Sequence, residues 1–208
     1  IGPCILCSYR CAARGRLGYM LFYGFENLSK DPFSALKVWQ GGMSFHGGLL
    51  GVLFAVWFYA RKTDRTFFEI TDFIAPSIPL ALGLGRMGNF ANTELPGRVT
   101  DMPWALIFPD GLARHPSSLY QAFAEGLILF LLLWWFAGRP RPLMAVSGLF
   151  LVAYGCFRFT SEFFREPDIH MGFLLADWVS AGQLLSTPMV FIGLTLLALS
   201  YRRTTGKV

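Results

Sequence analysis

The polar residues of this 208-residue chain fall mostly in short breaks between long apolar runs. A bilayer crossing by a helix needs about 20 mostly apolar residues. Five segments reach or approach that length: Met43–Ala60, Phe68–Phe90, Leu119–Ala137, Leu143–Phe164 and Val179–Tyr201. A sixth run, Leu17–Phe25, is too short to cross alone. The pattern predicts an all-α, polytopic transmembrane helix bundle with about five full spans plus a short N-terminal apolar segment, organised as one integral membrane domain over residues 1–208. Pro76 and Pro79, with Asp72 just upstream, predict a kink in the second span. The opening residues lack the basic start, apolar middle and small-residue cleavage site of a signal peptide. Internal repeats and low-complexity tracts are also lacking.

Composition agrees with the pattern. The chain is 54% hydrophobic and 15% charged, with a mean hydropathy of +0.47, whereas soluble domains carry about a quarter charged residues. The net charge of +5 would suit a nucleic-acid partner, but the basic residues cluster between spans instead of forming one stripe. They read as topology signals, and no nucleic acid is expected. Cys4, Cys7 and Cys11 have a loosely metal-like spacing without a second Cys/His pair; such thiols behave mostly as small apolar residues. HExxH, GxSxG and P-loop patterns are missing, which leaves a metalloprotease, an elbow-type serine hydrolase and an NTPase without support.

Lys/Arg bias in short loops sets orientation. Arg61-Lys62-Thr63-Asp64-Arg65, Gly138-Arg139-Pro140-Arg141 and the C-terminal Arg202, Arg203 and Lys207 belong inside. Arg10 and Arg14 start from the same side if Leu17–Phe25 is the remnant of a crossing. The connections Glu26–Gly42, Ala91–Ser118 and Arg165–Trp178 then face out and are near charge balance. His46, Arg86, Asn89, Asn92, Glu94, Arg158 and Glu162 all fall in the outward half of their spans or just beyond it.

Four stretches hold the candidate chemistry. MSFHGGLLG, Met43 to Gly51, sets His46 before Gly47 and Gly48. The histidine is either a proton acceptor near neutral pH or an interfacial hydrogen-bonding group beside packing glycines. In GLGRMGNFANTEL, Arg86, Asn89 and, at a wider angle, Asn92 share one helix face. Snorkelling explains an isolated arginine, but three such groups followed by Glu94 point to a site. RHPSSLYQAFAEG begins a helix near Pro116 or Ser117 and carries Glu125 inside the span, where pairing with an arginine of a neighbouring helix is the favoured reading. YGCFRFTSEFFREPD places Tyr154, Arg158, Ser161 and Glu162 on one face. Arg158 and Glu162 satisfy each other, or the second arginine works with the first. Two guanidiniums close together in a low dielectric repel unless an anion lies between them, and at this depth the natural anion is a lipid phosphate.

GRMGNFANTELPG (Gly85–Gly97), with GGMSFHGGLLG, RHPSSLYQ and YGCFRFTSEFFREPD in the same order, resembles the prolipoprotein diacylglyceryl transferase family from about Gly15 to the C-terminus. The resemblance implies an enzyme that moves the sn-1,2-diacylglyceryl group of phosphatidylglycerol to the lipobox cysteine thiol of a preprolipoprotein signal peptide, forming a thioether and releasing glycerol phosphate. It implies a multi-pass protein of the bacterial inner membrane, embedded in the lipid bilayer, with its active site toward the periplasmic face. Carried over by resemblance, His46, Arg86 and Arg158 are the catalytic positions. Arg86, Asn89, Glu94, Gly97, Arg16, Tyr154 and Glu162 are the substrate-binding positions. His46 is the candidate base for the thiol, although an arginine-stabilised thiolate makes a protein base unnecessary. No metal or cofactor is implied.

The chain departs from the family pattern at its start. IGPCILCSYRCAARGRLGY runs almost directly into the expected arginine, Arg16, without the first helix region, and Arg14-Gly15 stands where the family has two glycines. Gln121 stands where some members have glutamate. A non-catalytic degenerate homologue therefore remains as an alternative, as does a membrane transporter, since buried arginine and glutamate also line solute paths.

Overall fold

The computed structural model describes residues 45–166 and 181–205. The Leu17–Phe25 run, Arg16 and the three N-terminal cysteines lie outside the described residues, as does the His46 side chain. The chain groups into two compact units, residues 1–67 and 68–208.

In the first unit the described element is helix α1, Phe45–Lys62, which covers most of the first expected span. It ends where Thr63 N–H donates to Tyr59 O and Asp64 takes a left-handed φ of 51°. Arg65 N–H then closes on Ala60 O, so the last carbonyls of the helix are satisfied before the polar turn.

The second unit holds α2 (Phe67–Ile74), a 3₁₀ turn (Ala75–Ser77) and α3 (Ile78–Ala91). A two-stranded hairpin follows, β1 (Leu106–Ile107) and β2 (Ala113–Arg114), and then α4 (Ser117–Gln121), a π-helical segment (Ala122–Ile128) and α5 (Leu129–Ala137). The chain ends in α6 (Ala145–Ser161) and α7 (Ala181–Thr205). Three continuous helices among the described residues are long and apolar enough to cross a bilayer: Phe67–Ala91, Ser117–Ala137 and Gly182–Arg203. Ala145–Ser161 is apolar but shorter. The 3₁₀ turn sits at Pro76, where the missing N–H interrupts the α ladder, as the sequence predicts.

Burial is inverted relative to a soluble protein. Phe73 is 84% exposed and Leu84 70%, while Glu125 is 0% and Gln121 1% exposed. Apolar side chains outside and polar ones inside suit a chain solvated by hydrocarbon. A smaller apolar core of Ala75, Leu129, Leu133 and Val146 fills the middle, flanked by Phe136, Leu149, Phe150 and Phe157.

With lipid outside, helix association depends on close backbone approach. A Cβ on Gly83 would lie 2.9 Å from Gly126 Cα, so α3 and the π segment meet backbone to backbone. Gly193 meets Gly148 in the same way, where an added Cβ would sit 2.8 Å from the Gly148 carbonyl, and this locks α6 to α7. At the basic end of the unit Asp72 caps α6: its carboxylate accepts Met144 N–H and Ser147 N–H, both at 2.8 Å. There Arg139 stacks over Trp135 at 5.5 Å and Arg141 over Phe136 at 4.1 Å, which anchors an interfacial rim.

The cap gives a stability prediction. Asp72→Ala leaves two N–H groups at the start of α6 unpaired, and the expected loss is about 1–2 kcal/mol, read as a lowered unfolding midpoint in detergent or bicelles.

Candidate functional site

The end of the second unit opposite its basic segments holds a cluster of ionisable side chains built by three helices. Glu125, in the π segment, has its carboxylate 3.6 Å from Arg86 Nη2 of α3 and accepts Ser161 Oγ–H of α6 at 3.3 Å. Tyr154 of α6 places its hydroxyl beside Arg86 and within electrostatic range of Glu125 and Arg158. Arg158 pairs with Glu162 one turn on, and Arg165 approaches the same Glu162 oxygen at 3.7 Å. Glu162 also packs against Gly182 at the start of α7: a Cβ there would lie 2.6 Å from its carboxyl carbon.

The positions follow from helix geometry. Tyr154, Arg158 and Ser161 fall at i, i+4 and i+7 of α6 and share the face toward Glu125. Arg86 lies one turn beyond Gly83, so the glycine contact that draws α3 onto the π segment brings the guanidinium to the carboxylate. Among the described residues the cluster brings together the guanidiniums of Arg86, Arg158 and Arg165 and the carboxylates of Glu125 and Glu162. Arg158 Nη1 is buried with no hydrogen-bond partner among the described residues.

A folded loop covers this end. Gly97 bridges to Arg165 and Val99 to Arg114, and the hairpin pairs Leu106 with Arg114 and Ile107 with Ala113. Arg114 is buried and donates to Gly97 O at 3.0 Å, to Asp110 at 2.7 Å and to Glu166. Arg98 Nε–H donates to Arg165 O at 3.0 Å, which ties the loop to the end of α6. Against the cluster lies an apolar cavity of about 490 Å³, lined by Met102, Trp104, His115, Tyr120, Phe157, Ser161 and Phe164. Trp104 Nε1–H donates to Tyr120 Oη at 2.8 Å, and His115 Nδ1 is 3.3 Å from the same oxygen.

The sequence-derived positions separate into groups. Arg86, Tyr154, Arg158 and Glu162 come together in one cluster. Asn89 is half-buried one turn beyond Arg86. Glu94 is exposed, and its contribution seen here is a backbone carbonyl that accepts Ser118 Oγ–H at 3.4 Å. Gly97 has a packing reason for its identity, since a Cβ there would run into the His115 carbonyl. Arg16 and the His46 side chain lie outside the described residues. The expected pairing of Glu125 with an arginine of another helix is present, with Arg86 as the partner. Sequence reasoning missed the Ser161 bond to Glu125, the Arg165 contact and the Arg114 anchor. For Arg114 the signal lay in the acidic Asp110 at i−4 and Glu166 just beyond the fourth span.

The loop gives a pH prediction. The Leu112 N–H, which donates to Asp110 Oδ1, and the Arg114 guanidinium hold the Asp110 carboxyl below its ordinary value. A depressed folded-state value stabilises the loop above about pH 3.9, the unfolded reference. The contribution is lost as pH falls through the lowered value. Protease nicking within residues 92–116 should rise below about pH 4, with Asp110→Asn nicked faster than wild type at pH 7 and less dependent on pH.

Comparison with known proteins agrees with the resemblance. The prolipoprotein diacylglyceryl transferase family model matches residues 5–199. A phosphatidylglycerol–prolipoprotein diacylglyceryl transferase of Vibrio campbellii is 57% identical over 191 residues, covering 91% of this chain and 70% of that protein. The Vibrio cholerae protein of the same name matches with the same identity and coverage. One from Chromohalobacter salexigens is 56% identical over 192 residues, covering 91% of this chain and 72% of its own length.

Proposed function

The chain belongs to the prolipoprotein diacylglyceryl transferase family, and on that premise we propose that it transfers the diacylglyceryl group of phosphatidylglycerol to the lipobox cysteine thiol of a preprolipoprotein. The observation that carries the site assignment is Arg158 Nη1, a buried N–H without a partner among the described residues, in a cluster that also holds Arg86. A phosphate oxygen satisfies that donor and accepts the charge of the two arginines.

The thiol has an unperturbed pKa of about 8.5, and its thiolate is the nucleophile. It attacks the saturated glyceryl carbon that bears the phosphate ester. The C–S bond forms as the C–O bond breaks, its electron pair leaves on glycerol phosphate, and the thiol proton goes to a base, for which His46 is the candidate. Arg86 and Arg158 hold the phosphate and offset the charge that develops on it. Asn89 and Tyr154 line the same wall, with Glu162 orienting Arg158 and Arg165; Glu94, Gly97 and Arg16 complete the set of headgroup positions.

The membrane orientation belongs to the same proposal. The basic loop 138–141 and the basic last turn of α7, Arg202 and Arg203, lie at the end opposite the cluster. The positive-inside rule then turns the site toward the periplasmic face of a bacterial inner membrane, where an exported signal peptide presents its cysteine. Family membership and a site at the helix ends disfavour the transporter reading.

Reconstitution with labelled phosphatidylglycerol and a lipobox peptide tests the reading: a thioether-linked product is expected, and its absence from a well-folded sample overturns it. Arg86→Ala should lower the transfer rate by at least about 100-fold. Arg158→Lys, which keeps the charge but not the fork geometry, should fall between that variant and wild type. Wild-type rates in both would refute the phosphate clamp.

A further inference from the structure

Gln121 is 1% exposed, and neither its amide nitrogen nor its amide oxygen has a hydrogen-bond partner among the described residues. An amide buried in this way is costly unless a ligand or water takes its place in the bonding. Its location narrows what the ligand is. Gln121 precedes Glu125 by one turn on the buried face of the same helix. The α3 helix runs antiparallel to that helix: Glu125 lies across from Arg86, Ser118 Oγ–H donates to Glu94 O, and Ser117 Oγ–H donates to Leu95 O. Interpolated between these contacts, Gln121 comes level with Phe90 and Ala91. It stands one helical turn, about 5.4 Å, beyond the Arg86–Glu125 pair toward the loop end.

We propose that Gln121 recognises the headgroup hydroxyls of the donor lipid, with its Nε2–H₂ donating to one and its Oε1 accepting from the other of a vicinal diol. The proposal rests on the transferase reading above, in which Arg86 and Arg158 hold the phosphate; a glycerol headgroup then extends from the phosphate over about one turn of helix. The chemistry selects a diol. A neutral amide offers one donor group and one acceptor, and a vicinal diol matches both. A headgroup ammonium has no acceptor for Nε2, and it would enter a cluster that already holds the Arg86 and Arg158 guanidiniums. A site built to hydrogen-bond hydroxyls rejects analogues lacking them, because its own polar groups are then left unpaired.

The test compares two donors in proteoliposomes: phosphatidylglycerol, and a diacyl phosphate with a propyl headgroup of the same length and no hydroxyls. Wild type should prefer phosphatidylglycerol by about 10-fold or more in kcat/KM, mainly through KM. Gln121→Leu should bring that preference close to one, and Gln121→Met should do the same with a different side-chain shape. An unchanged preference in both variants, or equal losses with both donors, overturns the proposal and leaves Gln121 a packing or water-filled position. Should neither variant fold, the wild-type comparison alone decides: no preference between the donors refutes the role. Wild type that transfers from neither lipid sinks the transferase reading itself, and this inference falls with it.

Discussion

The Glu125 carboxylate is the constraint that shapes the second unit. It is 0% exposed in a helix whose outer face meets lipid, and an unpaired charge there is strongly unfavourable. It therefore needs a cation and a hydroxyl from elsewhere, and both come from other helices: Arg86 on α3 and Ser161 on α6. Reaching Arg86 requires α3 to approach within backbone contact, which the Gly83–Gly126 crossing allows. The seven-residue π segment, Ala122–Ile128, contains both Glu125 and Gly126. Its wider turn is a known accompaniment of functional positions in helices.

From that pair the rest of the arrangement follows in order. Drawing three helices together at one end concentrates guanidiniums there, and Glu162 divides its carboxylate between Arg158 and Arg165. Arg165 also has its carbonyl taken by Arg98 of the covering loop, so the loop, the end of α6 and the charged cluster are mechanically one structure. The opposite end is held by different means, the Asp72 cap and arginines stacked on Trp135 and Phe136. Anchoring one end while concentrating charge at the other suits a site that must hold a lipid headgroup near the membrane surface while acyl chains remain in hydrocarbon.

Much of this was legible in the sequence because the bilayer imposes a length and polarity rule on each segment separately. The spans Phe68–Phe90 and Leu119–Ala137 appear as helices Phe67–Ala91 and Ser117–Ala137, and Arg86 and Arg158 stand out as cations in an apolar setting. What was not legible depends on register between helices. Gly83 could be recognised as thinning a helix surface, but not as the residue that meets Gly126. Asp72 could be placed near two prolines, but its hydrogen bonds are to residues more than seventy positions away. The hairpin at Leu106–Arg114 escaped notice because its strands are two residues each and carry no alternating pattern. Motif resemblance groups Glu94 and Gly97 with the arginines; the exposed Glu94 side chain and the close approach of Gly97 to His115 depend on the fold of the loop and could not be read from the motif.

Charge counting sharpens the chemistry on the transferase reading. Arg86 and Arg158 bring two guanidiniums to the proposed phosphate position. A phosphodiester brings one negative charge to them, which lowers the cost of their burial. Breaking the C–O bond converts that diester into a monoester carrying about −1.5 to −2 at neutral pH, so negative charge develops where Arg158 Nη1 has a donor unused among the described residues. That donor gains most as the bond breaks, which is the condition for stabilising the transition state more than the bound lipid.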